Sequence, residues 1–315
     1  MTPPTESPPP IPTPPVTPPP TESPATTPPV TPLPAPNSDA WTDPAAASAS
    51  PLRAWLALVG FAARRQFRAR QMILIALALL VLLTLAVWLL SQRTNWEPID
   101  RRTGRAIPNV TALGLYSQAV IDRTYIYFLV PLWTLCFSIY AMGSERENRT
   151  LIWLTTRPLP RWSIYLGKFV ALLPWTLTLN LGGLACLCLV AGEVGRQAWS
   201  LYWPIALALT PAMTALFHLL GSTVRRPAIF GLLYTFFFEG LLDFLPGNLR
   251  RFSVLYYARS MRFNAADRAG DTTPGIEVYA PASDALAWGV LLSITAVLLA
   301  LGMWAFSKAE PREEV

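Results

Sequence analysis

The stretch MILIALALLVLLTLAVWLL, residues 72–90, decides the class of fold. It is uncharged throughout, and as a helix rising 1.5 Å per residue it would extend about 28 Å, close to the thickness of a bilayer's hydrocarbon core. A helix of this length in a soluble protein would carry a polar face. The stretch therefore predicts a transmembrane helix.

The rest of the chain repeats this signal. Of its 315 residues, 52% are apolar and only 14% are charged, whereas soluble domains carry about 25% charged residues. We predict an all-α polytopic membrane protein with six transmembrane helices. The apolar runs that would form them are 72–90, 124–142, 169–191, 201–220, 228–246 and 285–306.

The chain before the first apolar run has two parts. Residues 1–51 are rich in proline, which forms neither helix nor sheet ladder, so they predict a disordered tail that serves as a spacer or as a PxxP ligand. Residues 52–70 predict an amphipathic helix. Its apolar side would hold Leu52, Trp55, Leu56, Val59, Ala62 and Ala63, and its basic side Arg53, Arg64, Arg65 and Arg68.

This basic segment has two possible meanings. It is either a helix lying on the cytoplasmic membrane surface or the positive flank of the first span. Because a dense basic cluster beside the first span usually sets the orientation, both termini are predicted to be cytoplasmic. The domains are then the tail 1–51, a six-span domain 52–308 and a short cytoplasmic tail 309–315.

Several chemistries find no support in the sequence. Cys136, Cys186 and Cys188 lie in apolar runs without metal-ligand spacing, and His218 is the sole histidine. His218 is interpreted as a packed or hydrogen-bonded residue, with a proton relay as the alternative. The Gly167-Lys168 pair lacks the G-x-x-x-x-G-K-[ST] pattern of a phosphate-binding loop. The chain is therefore predicted to be no enzyme, with no catalytic, metal or cofactor site of its own.

The most informative connector is ERENRTLIWLTTRPLPRWSIYLGK, residues 145–168. With its order of motifs, E-x-E-x-x-T-L, L-x-x-x-R-P-x-x-R and G-K, it resembles the permease subunits of type 2 ABC exporters, although Asn148-Arg149 departs from their usual glycine. The run 236–260 also resembles a subgroup of that family, and the resemblance covers about 52–308. The matching positions are Glu145, Glu147, Thr150, Leu151, Leu154, Arg157, Pro158, Arg161, Gly167 and Lys168.

The resemblance implies a permease subunit of an ATP-driven transporter in the plasma (inner) membrane, acting as an exporter. It implies a separate ABC ATPase subunit that binds ATP and Mg, a second permease copy or a related permease, and no nucleic acid partner. The connector would dock on the ATPase as a coupling helix, while Lys168 would extend to the lipid headgroups. The ATPase-coupling candidates are Glu145, Glu147, Leu151, Trp153, Leu154, Arg157 and Arg161.

Two acids interrupt the run 228–246. Glu239 and Asp243 are four residues apart and would share one helix face. An ionised side chain is costly beside lipid, so Glu239 is predicted to face protein or a wet cavity. Glu239 and Asp243 are candidates for a substrate pathway or gate; the alternative is a structural hydrogen bond or a boundary between half-helices.

Two other function classes stay open at this point. The first is an ion-coupled secondary transporter that uses Glu239 and Asp243. The second is a non-transporting membrane scaffold whose proline-rich tail recruits partners. The sequence does not identify a substrate.

Overall fold

The structure is a computed structural model that describes residues 51–67, 70–94, 96–97, 110–147, 160–244, 247–271 and 280–308. The predicted tails lie outside these residues, apart from Pro51, which begins the first helix. The helices are α1 (Pro51–Phe67), α2 (Arg70–Thr94), α3 (Ala112–Tyr116, a π-helical section Ser117–Leu129, and Val130–Glu147), α4 (Arg161–Val190), α5 (Gly192–Thr223), α6 (Pro227–Leu232, a π-helical section Leu233–Phe238, and Glu239–Phe244), α7 (Val254–Arg268) and α8 (Asp284–Lys308). A 3-10 helix, Gly247–Phe252, precedes α7.

The described chain is helical and contains no strand, which confirms the predicted all-α membrane architecture. Within it, α2, α3, α4, α5 and α8 are long and apolar enough to cross a membrane. The fifth predicted span, 228–246, differs from the prediction. It forms a shorter apolar helix, Pro227–Leu242, of about 24 Å at 1.5 Å per residue. After α6 the chain turns into the 3-10 helix and α7, which is too polar to be a span.

Three spans begin well before their predicted positions, namely α3, α4 and α5, the last of which begins at Gly192 instead of residue 201. Helix α3 begins at Ala112, where the Thr111 side chain caps it by accepting a hydrogen bond from the amide of Gly114. Helix α4 begins at Arg161, directly after Pro160. The predicted spans 124–142 and 169–191 exclude Asp122 and Lys168, but the structure buries both residues inside α3 and α4.

The predicted extension of Lys168 to lipid headgroups is wrong. Its side chain is only 5% exposed, and its ammonium lies 5.7 Å from the ring centroid of Phe306 in α8. An ammonium over an aromatic face is stabilised by the ring quadrupole, most strongly where water is excluded. The buried position of Lys168 therefore depends on α8, and the sequence of α4 alone does not predict it.

Helix α5 lies at the centre of the bundle, packed against α3, α4, α7 and α8. Small side chains such as Ala206, Ala208 and Ala212 are fully buried along it and let neighbouring helices approach. Helices α3 and α4 also approach closely at Gly183, where an added Cβ would lie 2.5 Å from the Trp133 ring. By contrast, α2 leaves most of its large side chains exposed, as a lipid-facing helix does.

The contacts define two ends of the bundle. At the connector end, the first turns of α4 contact α1 on one side and the last turns of α5 and α8 through Tyr165. At the α7 end, α7 packs against the start of α3, the start of α5 and the start of α8. Each long helix runs from one of these ends to the other.

Candidate functional site

The connector end is built around the junction of α1 and α4. The indole N–H of Trp55 donates a 2.9 Å hydrogen bond to the carbonyl oxygen of Ser163. Gly167 lies one turn further along α4, where an added Cβ would be 3.0 Å from Leu58 and 3.1 Å from the Trp55 indole nitrogen. The glycine thus lets α1 lie directly on α4, the helix that the 145–168 connector enters.

The faces of α1 differ from the prediction in part. Trp55 and Val59 do turn towards the protein, but Leu52 and Leu56 from the same predicted face are 64% and 53% exposed. Phe61 is also 64% exposed. The protein-facing side of α1 is rotated because α4 receives Trp55 and Leu58 together. The exposed apolar side chains suit a helix lying at a membrane interface.

The predicted coupling residues are only partly within the described chain. Arg161 is the first residue of α4 and is half-buried. Glu145 and Glu147 belong to the last turn of α3, but their side chains lie outside the described residues, and so do Leu151, Trp153, Leu154 and Arg157. Their coupling role stays a prediction.

His218 occupies the interior beside the connector end. It is fully buried, its Nε2 lies 3.4 Å from the carbonyl oxygen of Tyr165, and its ring centroid is 4.5 Å from that of Tyr165. This confirms the interpretation of His218 as a packed residue. The rings of Tyr165 and Phe306 then connect it to α8.

The α7 end contains a buried charge cluster that the sequence analysis missed. Asp122 of α3 is 5% exposed and accepts two hydrogen bonds of 2.8 Å from Arg259 of α7, one from Nε and one from Nη2. Arg262 lies one turn further along α7, with its Nε 3.5 Å from the same carboxylate. The signal in the sequence is that Asp122 lies two residues before the predicted run 124–142.

Further polar contacts hold the C-terminal end of α7 against α3 and α8. The amide of Asn264 donates to Asp284 at 2.8 Å, and Arg268 forms an ion pair of 2.8 Å with the same carboxylate. Asp271, just beyond α7, accepts a hydrogen bond from the hydroxyl of Thr111 at the start of α3. Helix α7 is thus joined to both α3 and α8 by side chains far apart in sequence.

Glu239 is 2% exposed and faces protein, as predicted. Its carboxylate accepts hydrogen bonds from the Tyr234 hydroxyl at 2.6 Å, the Ser253 hydroxyl, and the Val254 amide at 3.1 Å. The N-cap of α7 is Ser253, whose hydroxyl accepts from the amide of Tyr256, and Glu239 supplements this cap by accepting from the first amide of the helix. The side chain of Asp243 lies outside the described residues, and a transport role for either acid stays a prediction.

These features define a polytopic helical membrane protein in which a short apolar helix and a polar helix precede the last span. The chain belongs to the ABC-2 family of transporter proteins, whose profile matches residues 63–310. It is therefore a membrane permease subunit of an ABC transporter, a family whose membrane subunits associate with an ABC ATPase. The comparison with curated proteins finds no match.

Proposed function

We propose that this chain is the permease of an ATP-driven exporter and that a separate ATPase subunit docks at the connector end. The observation that carries the proposal is the junction of α1 with α4, next to the point where the 145–168 connector enters α4. A force applied to the connector would reach the bundle through the first turns of α4. Membership of the ABC-2 family supports the same reading.

The proposed docking surface combines apolar anchors with charges. Trp153 and Leu154 would enter a cleft on the ATPase, while Glu145, Arg157 and Arg161 would fix the orientation of the two subunits. ATP and Mg would be bound by the ATPase. This arrangement puts the connector, both chain termini and α1 on the cytoplasmic side of the plasma (inner) membrane.

The assembled transporter is proposed to contain two permease copies, or this chain with a related permease, and two ATPase subunits. The acids Glu239 and Asp243 are not needed to drive transport in this scheme. The hydrogen bonds of Glu239 to the start of α7 instead favour a structural role.

The test is a docking experiment on the full chain co-expressed with its candidate ATPase. Replacing Trp153 and Leu154 by Ala should weaken co-purification about thirtyfold, because a buried aromatic anchor contributes about 2 kcal/mol. The matched control replaces Leu249 and Phe252 by Ala, since both are exposed apolar residues near the α7 end. Docking that survives the first change as well as the second would contradict the proposal.

A charge reversal provides a second arm. Arg161→Glu should reduce ATPase binding and coupled transport, whereas Arg196→Glu should not, because Arg196 lies at the start of α5, away from the connector end, with its side chain 79% exposed. A topology assay must accompany both variants, since basic residues also guide membrane insertion. Equal effects of the two reversals, with topology unchanged, would exclude docking through this connector.

A further inference from the structure

A group of exposed arginines surrounds the connector end of the bundle. Arg64 lies near the end of α1, Arg70 begins α2, and Arg225 and Arg226 lie in the link between α5 and α6. All four are exposed, and none of them forms an ion pair with any residue that the structure describes. We call these four residues the basic rim.

The acidic side chains lie at the opposite end of the bundle. Every acidic side chain that the structure describes belongs to the α7 end, and these are Glu97, Asp122, Glu193, Glu239, Asp267, Asp271 and Asp284. Arginines of that end pair with them, as Arg196 does with Glu193 and Arg268 with Asp284, each at 2.8 Å. Positive charge at the α7 end is thus compensated within the protein.

The connector end stays basic when its other charged residues are included. Its acids in the last turn of α3, Glu145 and Glu147, have side chains outside the described residues. Besides the basic rim, the same end carries Arg53, Arg65, Arg161, Lys168 and Lys308. Two carboxylates cannot offset this number of cations. A surface with such an excess of one sign attracts partners of the opposite charge.

The basic rim lies at the level of the lipid headgroups. Arg70 comes two residues before the uncharged run 72–90, and Arg226 directly precedes the apolar helix Pro227–Leu242. Basic residues at the boundary of an apolar span extend their charge to the membrane interface. This depth favours a lipid headgroup over an acidic protein surface as the partner of the rim.

Helix α1 adds apolar contacts at the same level. The hydrogen bond of Trp55 fixes α1 on the first turns of α4. Away from that contact, α1 exposes Leu52, Leu56 and Phe61 together with Arg64. Binding of a helix to a membrane interface strengthens with its buried apolar area and with its attraction to anionic lipids. Helix α1 offers both contributions.

We propose that the basic rim and the exposed apolar side chains of α1 form a binding surface for anionic phospholipid headgroups. Each arginine near an anionic membrane surface strengthens binding about fivefold, or about 1 kcal/mol. A zwitterionic lipid carries no net charge and gains little from the rim. The lipid would hold α1 in place over the first turns of α4. The surface belongs to the permease alone and is independent of the proposed ATPase docking.

The experiment is native mass spectrometry of the delipidated full-length chain without an ATPase. The protein is titrated with phosphatidylglycerol and with phosphatidylcholine of the same acyl chains. Phosphatidylglycerol should bind at least tenfold more tightly, and equal affinities would overturn the proposal. Glycerol phosphate at the same concentration should not displace the bound lipid. Displacement would show a site for free phosphate and would overturn the assignment to lipid.

Variants locate the binding surface. Arg64→Gln combined with Arg226→Gln should weaken phosphatidylglycerol binding about 25-fold, since two arginines contribute about fivefold each, and should leave phosphatidylcholine binding unchanged. The matched control combines Arg93→Gln with Arg251→Gln, which removes two exposed arginines from the α7 end. Equal losses from both pairs would refute the rim. If the rim variant does not purify as a single species, the comparison of the two lipids on the unmodified protein decides.

Discussion

The charge cluster at the α7 end predicts an asymmetry between its two partners. Asp122→Ala would leave Arg259 and Arg262 facing each other with 20% and 10% of their side chains exposed and without the carboxylate between them. Arg259→Ala would instead leave Asp122 with Arg262, whose Nε is already 3.5 Å away. Asp122→Ala should therefore lower the stability of the protein more than Arg259→Ala does.

Removing one partner of a buried ion pair costs about 3–5 kcal/mol. We expect Asp122→Ala to fall in this range and Arg259→Ala to cost about 1–3 kcal/mol, the penalty of lost hydrogen bonds to a charged group that keeps another partner. At about 1.4 kcal/mol per tenfold change, the first variant would raise the population with α7 detached roughly a hundred- to several-thousandfold.

The assay is reversible unfolding in mixed micelles by sodium dodecyl sulfate, followed by the fluorescence of the folded protein. The exposed ion pair of Arg196 with Glu193 is the matched control, since Arg196→Ala should change stability by less than about 1 kcal/mol. Equal costs for Asp122→Ala and Arg259→Ala would show that Arg262 does not take over the carboxylate. A cost below that of the control would refute the buried cluster itself.

Three more predictions concern the packing at Gly183, the start of α7 and the N-terminal tail. Gly183→Ala should destabilise the protein by about 1–3 kcal/mol because its Cβ would meet the Trp133 ring, whereas Gly182→Ala has open space and should be neutral or stabilising in the same unfolding assay. Glu239→Gln should cost about 1–2 kcal/mol through the weakened cap of α7, and a loss of transport without a loss of stability would instead indicate a gating role. Deletion of residues 1–50 should leave membrane insertion and ATPase co-purification unchanged, since the family match begins at residue 63, and a failure of either would show that the tail is more than a spacer.

The class of protein was readable from the sequence because hydropathy is a local property. Each uncharged run long enough to cross the hydrocarbon core indicates a span regardless of its neighbours. The connector motifs were equally local, and the family they suggested is confirmed by the match to residues 63–310. The packed state of His218 also followed from its position within an apolar run.

The tertiary structure decided where the charged residues lie. Asp122 lies just before the predicted run 124–142, yet it is buried because Arg259, 137 residues later, returns to it on α7. Lys168 was expected at the headgroups, yet Phe306 of the last span covers it. The free energy of burying a charge depends on its partners, and no local pattern shows which distant residue will supply the partner.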